Sequence, residues 1–198
     1  VADAGHTIGD ARWEAAAMAD VFEYYAGAAN KHLGSVVPTQ DTGLGVVMRV
    51  PVGVCGLIVP WNFPMLIATW KLAPALAAGN PVVLKPASLT PLSALKLGGL
   101  LVEAGVPASA VSVIPGPGAT VGDALVGDPR VDKISFTGDS STGAGILRRV
   151  ADKLVHQPTV QVRRLTGETG DGSYAEALAA LFALDPEAIE AVTRPEVG

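Results

Sequence analysis

The chain has 198 residues, of which 49% are hydrophobic and 17% charged, so it can bury a core in one large domain, or in one domain with a tail. Its net charge of −5 provides no basic surface for phosphates, which argues against nucleic acid and anionic membrane as partners. The longest apolar runs are shorter than the roughly 20 residues that cross a bilayer, and the N-terminus lacks the basic start and apolar run of a secretory signal. A single cysteine cannot form an internal disulfide, so we expect a globular protein of the reducing cytoplasm.

Hydrophobic periodicity predicts the first elements. Apolar residues recur at three- and four-residue steps from Trp13 to Ala28, which indicates an amphipathic packing helix from Ile8 to Leu33 that ends near Gly34. The β-rich segment from Leu44 to Val50 is flanked by Gly and Pro and predicts a strand that leads into the next unit.

Four short apolar runs follow, each succeeded by a helical segment. This alternation predicts buried parallel strands with right-handed crossovers, which is an α/β fold with a doubly wound parallel sheet. In such a sheet ligands bind at the carboxyl ends of the strands, here the loops that start at Pro60, Lys85, Pro115 and Thr137. The predicted strands are Val52–Val59, Pro81–Leu84, Val111–Ile114 and Val131–Phe136, and the predicted helices are Leu66–Ala78, Leu92–Ala104, Thr120–Leu125 and Ser141–Leu154.

The character of the chain changes after Leu154. We therefore predict one domain over residues 1–155 and a separate tail of unknown origin over residues 156–198. Within the tail, a capping box favours a short helix from Tyr174 to Ala183, and an Asp-Pro pair starts a second one towards Val192.

Three of the predicted loops carry chemistry. Two prolines restrict the loop Pro60–Pro64, so that the Asn62 amide can point at a ligand. Lys85 and Ser88 follow the second strand, where a nucleotide's ribose or phosphate would lie. The turn at Gly138 opens a helix whose free N–H groups suit a pyrophosphate.

Together these loops resemble the aldehyde dehydrogenase superfamily. The resemblance covers about Asp10 to Leu154 and is closest to semialdehyde dehydrogenase-like members. It implies a Rossmann-like NAD(P)-binding domain of an NAD(P)-dependent oxidoreductase that converts an aldehyde to a carboxylic acid. The loops that carry it are Pro60-Trp61-Asn62-Phe63-Pro64, Lys85-Pro86-Ala87-Ser88 and Phe136-Thr137-Gly138.

The resemblance also implies roles for single residues. Asn62 would donate its amide to the oxyanion that forms when a cysteine thiolate attacks the aldehyde. Lys85 would contact the adenosine ribose, Gly118 would line the adenine side, Phe136 would lie near the nicotinamide, and Gly138 would admit the pyrophosphate. The implied cofactor-binding residues are Pro60, Trp61, Asn62, Lys85, Ala87, Ser88, Gly118, Phe136, Gly138 and Asp139.

Two residues depart from the family pattern. Many members that use NAD carry Glu where this chain has Ser88, and a carboxylate there repels a 2′-phosphate. Serine removes that repulsion, so we predict that the cofactor is NADP or NAD, with NADP tolerated. Asp139 stands where serine is common, and it puts an acidic side chain near the pyrophosphate.

The family's catalytic cysteine lies well beyond the Phe-Thr-Gly turn, and no cysteine follows Gly138 in this chain. Cys55 falls inside the first predicted strand and is interpreted as a core residue. Glu168 lies in a faint echo of the family's Glu-Leu-Gly-Gly segment, so it is a weak candidate for the general base, and a plain loop carboxylate is the favoured alternative. His6, His32 and His156 lack metal-ligand spacing, so we predict no metal site.

Three hypotheses remain. The chain is an aldehyde dehydrogenase fragment that binds a nicotinamide dinucleotide but has lost oxidation; or it is a non-catalytic scaffold whose tail from Tyr174 to Val192 docks a partner; or it is half of a split enzyme, and another chain supplies cysteine and glutamate. Loss of the family's other domains would expose apolar surface, which predicts self-association or a homo-oligomer.

Overall fold

The structure is a computed structural model that describes residues 1–39 and 43–153, and Val1–Arg149 form one compact unit. The helices are α1 (Ile8–Ala28), α2 (Pro64–Ala77), α3 (Leu92–Glu103), α4 (Asp123–Gly127) and α5 (residues 140–153). The strands are β1 (Ser35–Val37), β2 (Gly45–Val47), β3 (Cys55–Ile58), β4 (Val82–Lys85), β5 (Val111–Val113) and β6 (Lys133–Phe136). The predicted tail of residues 156–198, with its helices and Glu168, lies outside the described residues.

Strands β3 to β6 form a parallel sheet in the order β5-β4-β3-β6. The chain adds β4 and β5 on one side of β3 and then returns to add β6 on the other side. The strand order therefore reverses between β3 and β6, which is the point where ligands bind in open α/β sheets. This arrangement confirms the predicted doubly wound α/β fold.

The two faces of the sheet pack against different helices. Along β3, Cys55 and Leu57 belong to the core cluster that includes residues of α1, α2 and α3. Gly56 points to the other face, where a Cβ atom would lie 3.2 Å from Cγ of Leu125 in α4 and 2.7 Å from Cδ1 of Ile134. Because alternate residues of a strand face opposite sides, α4 covers the face opposite to α2 and α3.

The N-terminal elements differ from their prediction. Helix α1 ends at Ala28 rather than near Gly34, because the chain beyond it turns into β1, which pairs antiparallel with β2. The sequence analysis did not predict β1, and it extended β2 to Leu44–Val50. Two of the predicted apolar positions of α1 are also exposed, Trp13 at 57% and Tyr24 at 69%.

The other boundaries shift by a few residues. Strands β3, β5 and β6 are shorter than their apolar runs, and β4 has the predicted length but begins and ends one residue later. Helix α2 begins at Pro64 rather than Leu66, because proline suits the first helical position. The predicted helix Thr120–Leu125 is a π-helical turn at Gly118–Gly122 that continues into α4.

Two acidic side chains of the N-terminal segment cap helices that are distant in sequence. Asp3 accepts hydrogen bonds from the backbone N–H groups of Leu92 at 3.1 Å and Ser93 at 2.8 Å, at the start of α3. Burial alone would raise the pKa of Asp3, but the hydrogen bonds from Ser93 and Leu92 outweigh burial and lower the pKa. Glu14 caps α2 in the same way, because it accepts hydrogen bonds from the backbone N–H groups of Met65 and Leu66. Neither helix is capped by a side chain of its own N-cap residue.

Adjacent glycines of α3 predict opposite effects on stability. A Cβ atom on Gly98 would lie 2.7 Å from Cγ2 of Val113 in β5, whereas nothing lies within 4 Å of one on Gly99. Alanine favours a helix interior over glycine by about 1 kcal/mol at both positions, but at Gly98 the overlap costs roughly 1–3 kcal/mol.

We therefore expect Gly99→Ala to raise the free energy of unfolding. The free energy of unfolding of Gly98→Ala should be about 2 kcal/mol lower than that of Gly99→Ala. Urea denaturation of both variants measures the difference. Equal stability of the two variants would contradict the packing of α3 on β5.

Within the described residues, no helix is long and apolar enough to cross a membrane. Nor do His, Cys, Asp and Glu side chains cluster there in a group of three or more that could hold a metal ion.

Candidate functional site

The three loops singled out from the sequence lie side by side at the carboxyl edge of the sheet. Ile58 at the end of β3 pairs with Lys85 of β4 on one side and with Phe136 of β6 on the other. Beyond these pairs, Val59 N–H donates to the Lys85 carbonyl at 3.2 Å and Thr137 N–H donates to the Ile58 carbonyl at 3.0 Å. The Pro60–Pro64 loop thus lies between the Lys85 loop and the Phe136 turn.

The Pro60–Pro64 loop presents the Asn62 side chain to solvent. Pro60 is half-buried, whereas Trp61 is 58% exposed and Asn62 is also exposed. The Asn62 carbonyl faces His6 Nε2 at 2.6 Å. The side-chain amide makes no hydrogen bond to another described residue, so it is available to a ligand at the edge.

Two residues of the N-terminal part of the chain, His6 and Glu14, support this loop. The His6 ring lies between Asn62 and Glu14, with Nδ1 3.2 Å from a Glu14 carboxylate oxygen. The sequence analysis missed this support, because it considered His6 only as a metal ligand. A contact across 56 residues leaves no local pattern that could have revealed it.

Lys85 is a buried cation at the end of β4. It is 5% exposed, and burial lowers its pKa. A Cβ atom on Gly122 would lie 3.9 Å from Lys85 Cε, so the side chain passes close to the π-helical turn. Within the described part of the chain, its ammonium has no ion pair or hydrogen bond, so it is free to bind a ligand at the edge of the sheet. A polar or anionic ligand would supply a partner.

Ser88 joins the Lys85 loop to the loop that follows β5. Its hydroxyl donates to the Gly116 carbonyl at 2.8 Å, which still leaves oxygen lone pairs for a donor. Ala87 is half-buried beside it, while Gly118, at the start of the π-helical turn, is exposed with open space around it. These positions form one side of the edge.

The Phe136 ring packs over two glycines on the other side. A Cβ atom on Gly138 would lie 2.7 Å from Phe136 Cζ, and one on Gly143 would lie 3.3 Å from Cε1. Glycine at position 138 therefore makes room for the ring of the preceding strand, which the sequence analysis did not foresee. Phe136 is half-buried and Gly138 is exposed.

Asp139 caps α5. Its carboxylate accepts from the backbone N–H groups of Ser141 at 2.8 Å and Thr142 at 3.3 Å, and also from the Ser141 hydroxyl. Hydrogen bonding to the Ser141 side chain, together with the backbone bonds, lowers the pKa of Asp139. The acidic group therefore lies on the helix N-terminus, where the sequence analysis expected a pyrophosphate.

Lys71 is a second cation near this edge. It lies in α2, and its ammonium donates to the Ser135 hydroxyl of β6 at 2.8 Å, one residue before Phe136. Burial lowers the pKa of Lys71. The apolar pattern of α2 does not single it out, because a lysine stem can cross a helix packed on a sheet without breaking the pattern.

Cys55 is a core residue, as its place in a predicted strand indicated. It is 2% exposed, and burial raises the pKa of its thiol, with Lys133 lowering it and Asp132 raising it. A thiol that is buried and neutral is a poor nucleophile. The described residues thus supply an amide donor and cations at the edge, but no reactive thiol.

A groove of about 760 Å³ lies beside α4, and its lining includes Pro115, at the start of the loop that follows β5. Its lining is largely apolar, and none of the predicted site residues belongs to it. The lining includes Val54, Val83, Ile114, Val121 and Leu125.

Known proteins resemble this chain over most of its length. Betaine aldehyde dehydrogenase of Bacillus subtilis is 48% identical over 154 residues, which are 77% of this chain and 31% of the relative. Retinaldehyde dehydrogenase 3 of Mus musculus is 46% identical over 149 residues, or 75% and 28% of the two chains.

Solved structures agree with this similarity. PnpE from Pseudomonas sp. WBC-3 in complex with nicotinamide adenine dinucleotide matches with a TM-score of 0.74 and 45% identity, covering 77% of this chain and 31% of that chain. An NAD+ complex of aldehyde dehydrogenase from Bacillus cereus matches with a TM-score of 0.68 and 42% identity, covering 70% and 28%.

The chain spans less than a third of the length of these relatives and structures. The model of the aldehyde dehydrogenase family matches residues 1–170, which extends beyond Asp10–Leu154 at both ends. The resemblance carried by the three loops is thereby confirmed, and the chain belongs to the aldehyde dehydrogenase family.

Proposed function

We propose that this chain binds NAD or NADP at the carboxyl edge of its sheet, as the cofactor-binding portion of an enzyme that oxidises an aldehyde to a carboxylic acid. The observation that carries the proposal is Lys85, whose stem is buried and whose ammonium has no protein partner among the described residues. It ends β4, the strand next to β3, at the same carboxyl edge as the switch point between β3 and β6. NAD complexes of the Pseudomonas and Bacillus cereus relatives support the same assignment.

The proposed binding site spans the three loops. Lys85 and Ser88 hold the adenosine ribose, and Gly118 lies on the adenine side. On the other side, Gly138 leaves the backbone accessible to the pyrophosphate, and Phe136 lies near the nicotinamide. Pro60, Trp61 and Ala87 line the space between, with Asp139 beside the pyrophosphate. When bound, the dinucleotide supplies the hydride acceptor.

Asn62 would serve the reaction rather than cofactor binding alone. Its exposed amide, free of hydrogen bonds to other described residues, is a suitable donor to an oxyanion that develops on an aldehyde carbon. A thiolate nucleophile and a general base are also required. Cys55 cannot supply the first, and Glu168 remains only a weak candidate for the second.

Ser88 supports tolerance of NADP. The side chain is exposed and uncharged, and it donates to Gly116, so nothing at this position repels a 2′-phosphate. The nearby Lys85 ammonium favours an added negative charge. We therefore propose that both cofactors bind, and that the 198-residue chain by itself binds them without oxidising aldehydes.

Lys85→Met tests this proposal. Methionine keeps the buried stem but removes the ammonium, so we expect about fivefold weaker binding of NAD and NADP, equivalent to one hydrogen bond of about 1 kcal/mol. Isothermal titration calorimetry of the whole chain measures the dissociation constants, and the wild-type ratio for NADP and NAD tests the Ser88 argument.

Lys96→Met is the matched control, because Lys96 is an exposed lysine of α3. It should bind both cofactors like the wild type. Wild-type chain that binds neither cofactor at millimolar concentration, or a Lys85→Met variant that binds unchanged, would count against the proposal.

Association with another polypeptide, either a second copy or a chain that supplies the catalytic domain, stays a prediction. Exposed apolar side chains on and beside the β1–β2 hairpin favour it. Light scattering after size-exclusion chromatography would test self-association. These residues are Val36, Val37, Val46, Val47, Met48 and Val50.

A further inference from the structure

The start of α2 depends on a carboxylate from α1. Pro64, the first residue of α2, has no N–H group, and Ile67 N–H already bonds the Phe63 carbonyl at 3.0 Å. The remaining donors of the first turn, Met65 and Leu66, both bond Glu14 Oε1, at 3.1 and 3.0 Å. Glu14 is 4% exposed. One buried carboxylate therefore satisfies the first turn of the helix that follows the Asn62 loop.

His6 connects this carboxylate to the loop. Its Nε2 lies 2.6 Å from the Asn62 carbonyl, and its Nδ1 lies 3.2 Å from Glu14 Oε2. A carbonyl oxygen only accepts, so Nε2 must carry a hydrogen. If Nδ1 were unprotonated, its lone pair would face the carboxylate. The contacts on both nitrogens are thus satisfied together by the imidazolium form.

Ring contacts hold the next residue of the loop. The Phe63 ring centroid lies 5.2 Å from that of His6 and 6.5 Å from that of Trp13, the latter in an edge-on arrangement. His6 therefore holds the carbonyl of the Asn62–Phe63 peptide, and aromatic packing holds the side chain of Phe63, the residue that follows this carbonyl. The Asn62 side chain, on the same residue as the carbonyl, is exposed.

We propose that His6 and Glu14 are positioning residues for the Asn62 amide. The pair holds the Asn62–Phe63 peptide in one orientation, and the side-chain amide is thereby held toward the site before any ligand arrives. Such preorganisation is what makes a donor effective toward a developing oxyanion. The catalytic meaning of this support rests on the proposed function, whereas the support itself does not.

Nuclear magnetic resonance on the 15N-labelled 198-residue chain tests the support without cofactor. In the wild type, long-range 1H–15N spectra should show Nε2 of His6 protonated, and the Phe63 N–H order parameter should be about 0.85. In His6→Ala the Phe63 order parameter should fall below about 0.6, and the Asn62 NH2 signals should move to the shifts of an unstructured chain. The Leu84 amide in the sheet reports that the fold is intact.

Glu14→Gln separates positioning from simple packing. Glutamine can still accept from Met65 and Leu66, and its NH2 group can donate to an unprotonated Nδ1. We expect an ordered loop with a neutral His6 ring. Wild-type-like loop order in Glu14→Gln, beside its loss in His6→Ala, would show that these hydrogen bonds hold the loop. Glu14 is the ion-paired group on the ring, and the loop side presents the uncharged Asn62 carbonyl and Phe63.

His32→Ala, which changes an exposed histidine outside the site, should leave every loop signal unchanged. The proposal is overturned if His6→Ala keeps wild-type order at Phe63 and Asn62, or if Nε2 of wild-type His6 carries no hydrogen while the loop is ordered. Calorimetry with NAD is a separate measurement. If His6→Ala loses loop order but the wild-type chain binds no NAD, the proposed function is refuted and the positioning role stands. If the wild-type chain binds NAD but His6→Ala keeps its loop order, the positioning role alone is refuted.

Discussion

Replacing Glu14 by alanine is expected to lower the free energy of unfolding by about 3 kcal/mol, a large share of the stability of a domain this size. The Met65 and Leu66 N–H groups would lose their acceptor, and leaving a buried donor unpaired costs roughly 1–3 kcal/mol. The helix would also lose a negative charge at its N-terminus, where the helix dipole favours one. Chemical denaturation in urea measures the change.

Two further variants make this test specific. Glu14→Gln keeps the acceptor but not the charge, so it should lose only about 1 kcal/mol. Glu23→Ala removes an exposed carboxylate from the same helix and should change stability by less than about 0.5 kcal/mol. If Glu14→Ala were no more destabilising than Glu23→Ala, Glu14 could not be the cap of α2.

The main sheet was predictable from sequence because its signals are local. Apolar runs such as Val111–Ile114 are bounded by turn residues, and each precedes a segment with helical periodicity. Since parallel strands end at one edge, the loops after Val59, Lys85 and Phe136 had to lie together there. That inference needs only the alternation of strand and helix, and the structure bears it out.

What could not be predicted depends on contacts between distant parts of the chain. Glu14 lies at a position where the apolar pattern of α1 would place a packing residue, and nothing nearby shows that it caps a helix 51 residues further on. Strand β1 is three residues long and exists by pairing with β2, so its own sequence carries little signal. The same holds for the space that Gly138 leaves for Phe136.

The two caps suggest a role for the N-terminal segment and α1 beyond packing. Asp3 and Glu14 fix the starts of α3 and α2, and these helices follow the Lys85 loop and the Asn62 loop respectively. A helix start that is held in place also holds the loop that leads into it. We therefore expect the N-terminal segment to help hold these two loops, although the resemblance to the family assigns no site residue to it.

Asp139→Ser is expected to strengthen binding of both NAD and NADP by about tenfold, because it removes a negative charge from the site of an anionic group. The Asp139 carboxylate occupies the Ser141 and Thr142 N–H groups, which a pyrophosphate would otherwise receive. Its lowered pKa keeps it ionised at neutral pH, so the repulsion is fully present there. Serine still caps the helix, but its hydroxyl competes far less well than a carboxylate.

Calorimetry at neutral pH and low ionic strength gives the comparison, with Asp20→Asn as a control that removes one negative charge from exposed surface of α1. The control should bind like the wild type, which excludes a general effect of net charge. Unchanged affinity in Asp139→Ser would mean that the bound pyrophosphate does not use the start of α5. Weaker binding would mean that Asp139 contributes to the site through the helix it orders, and that its charge is tolerated.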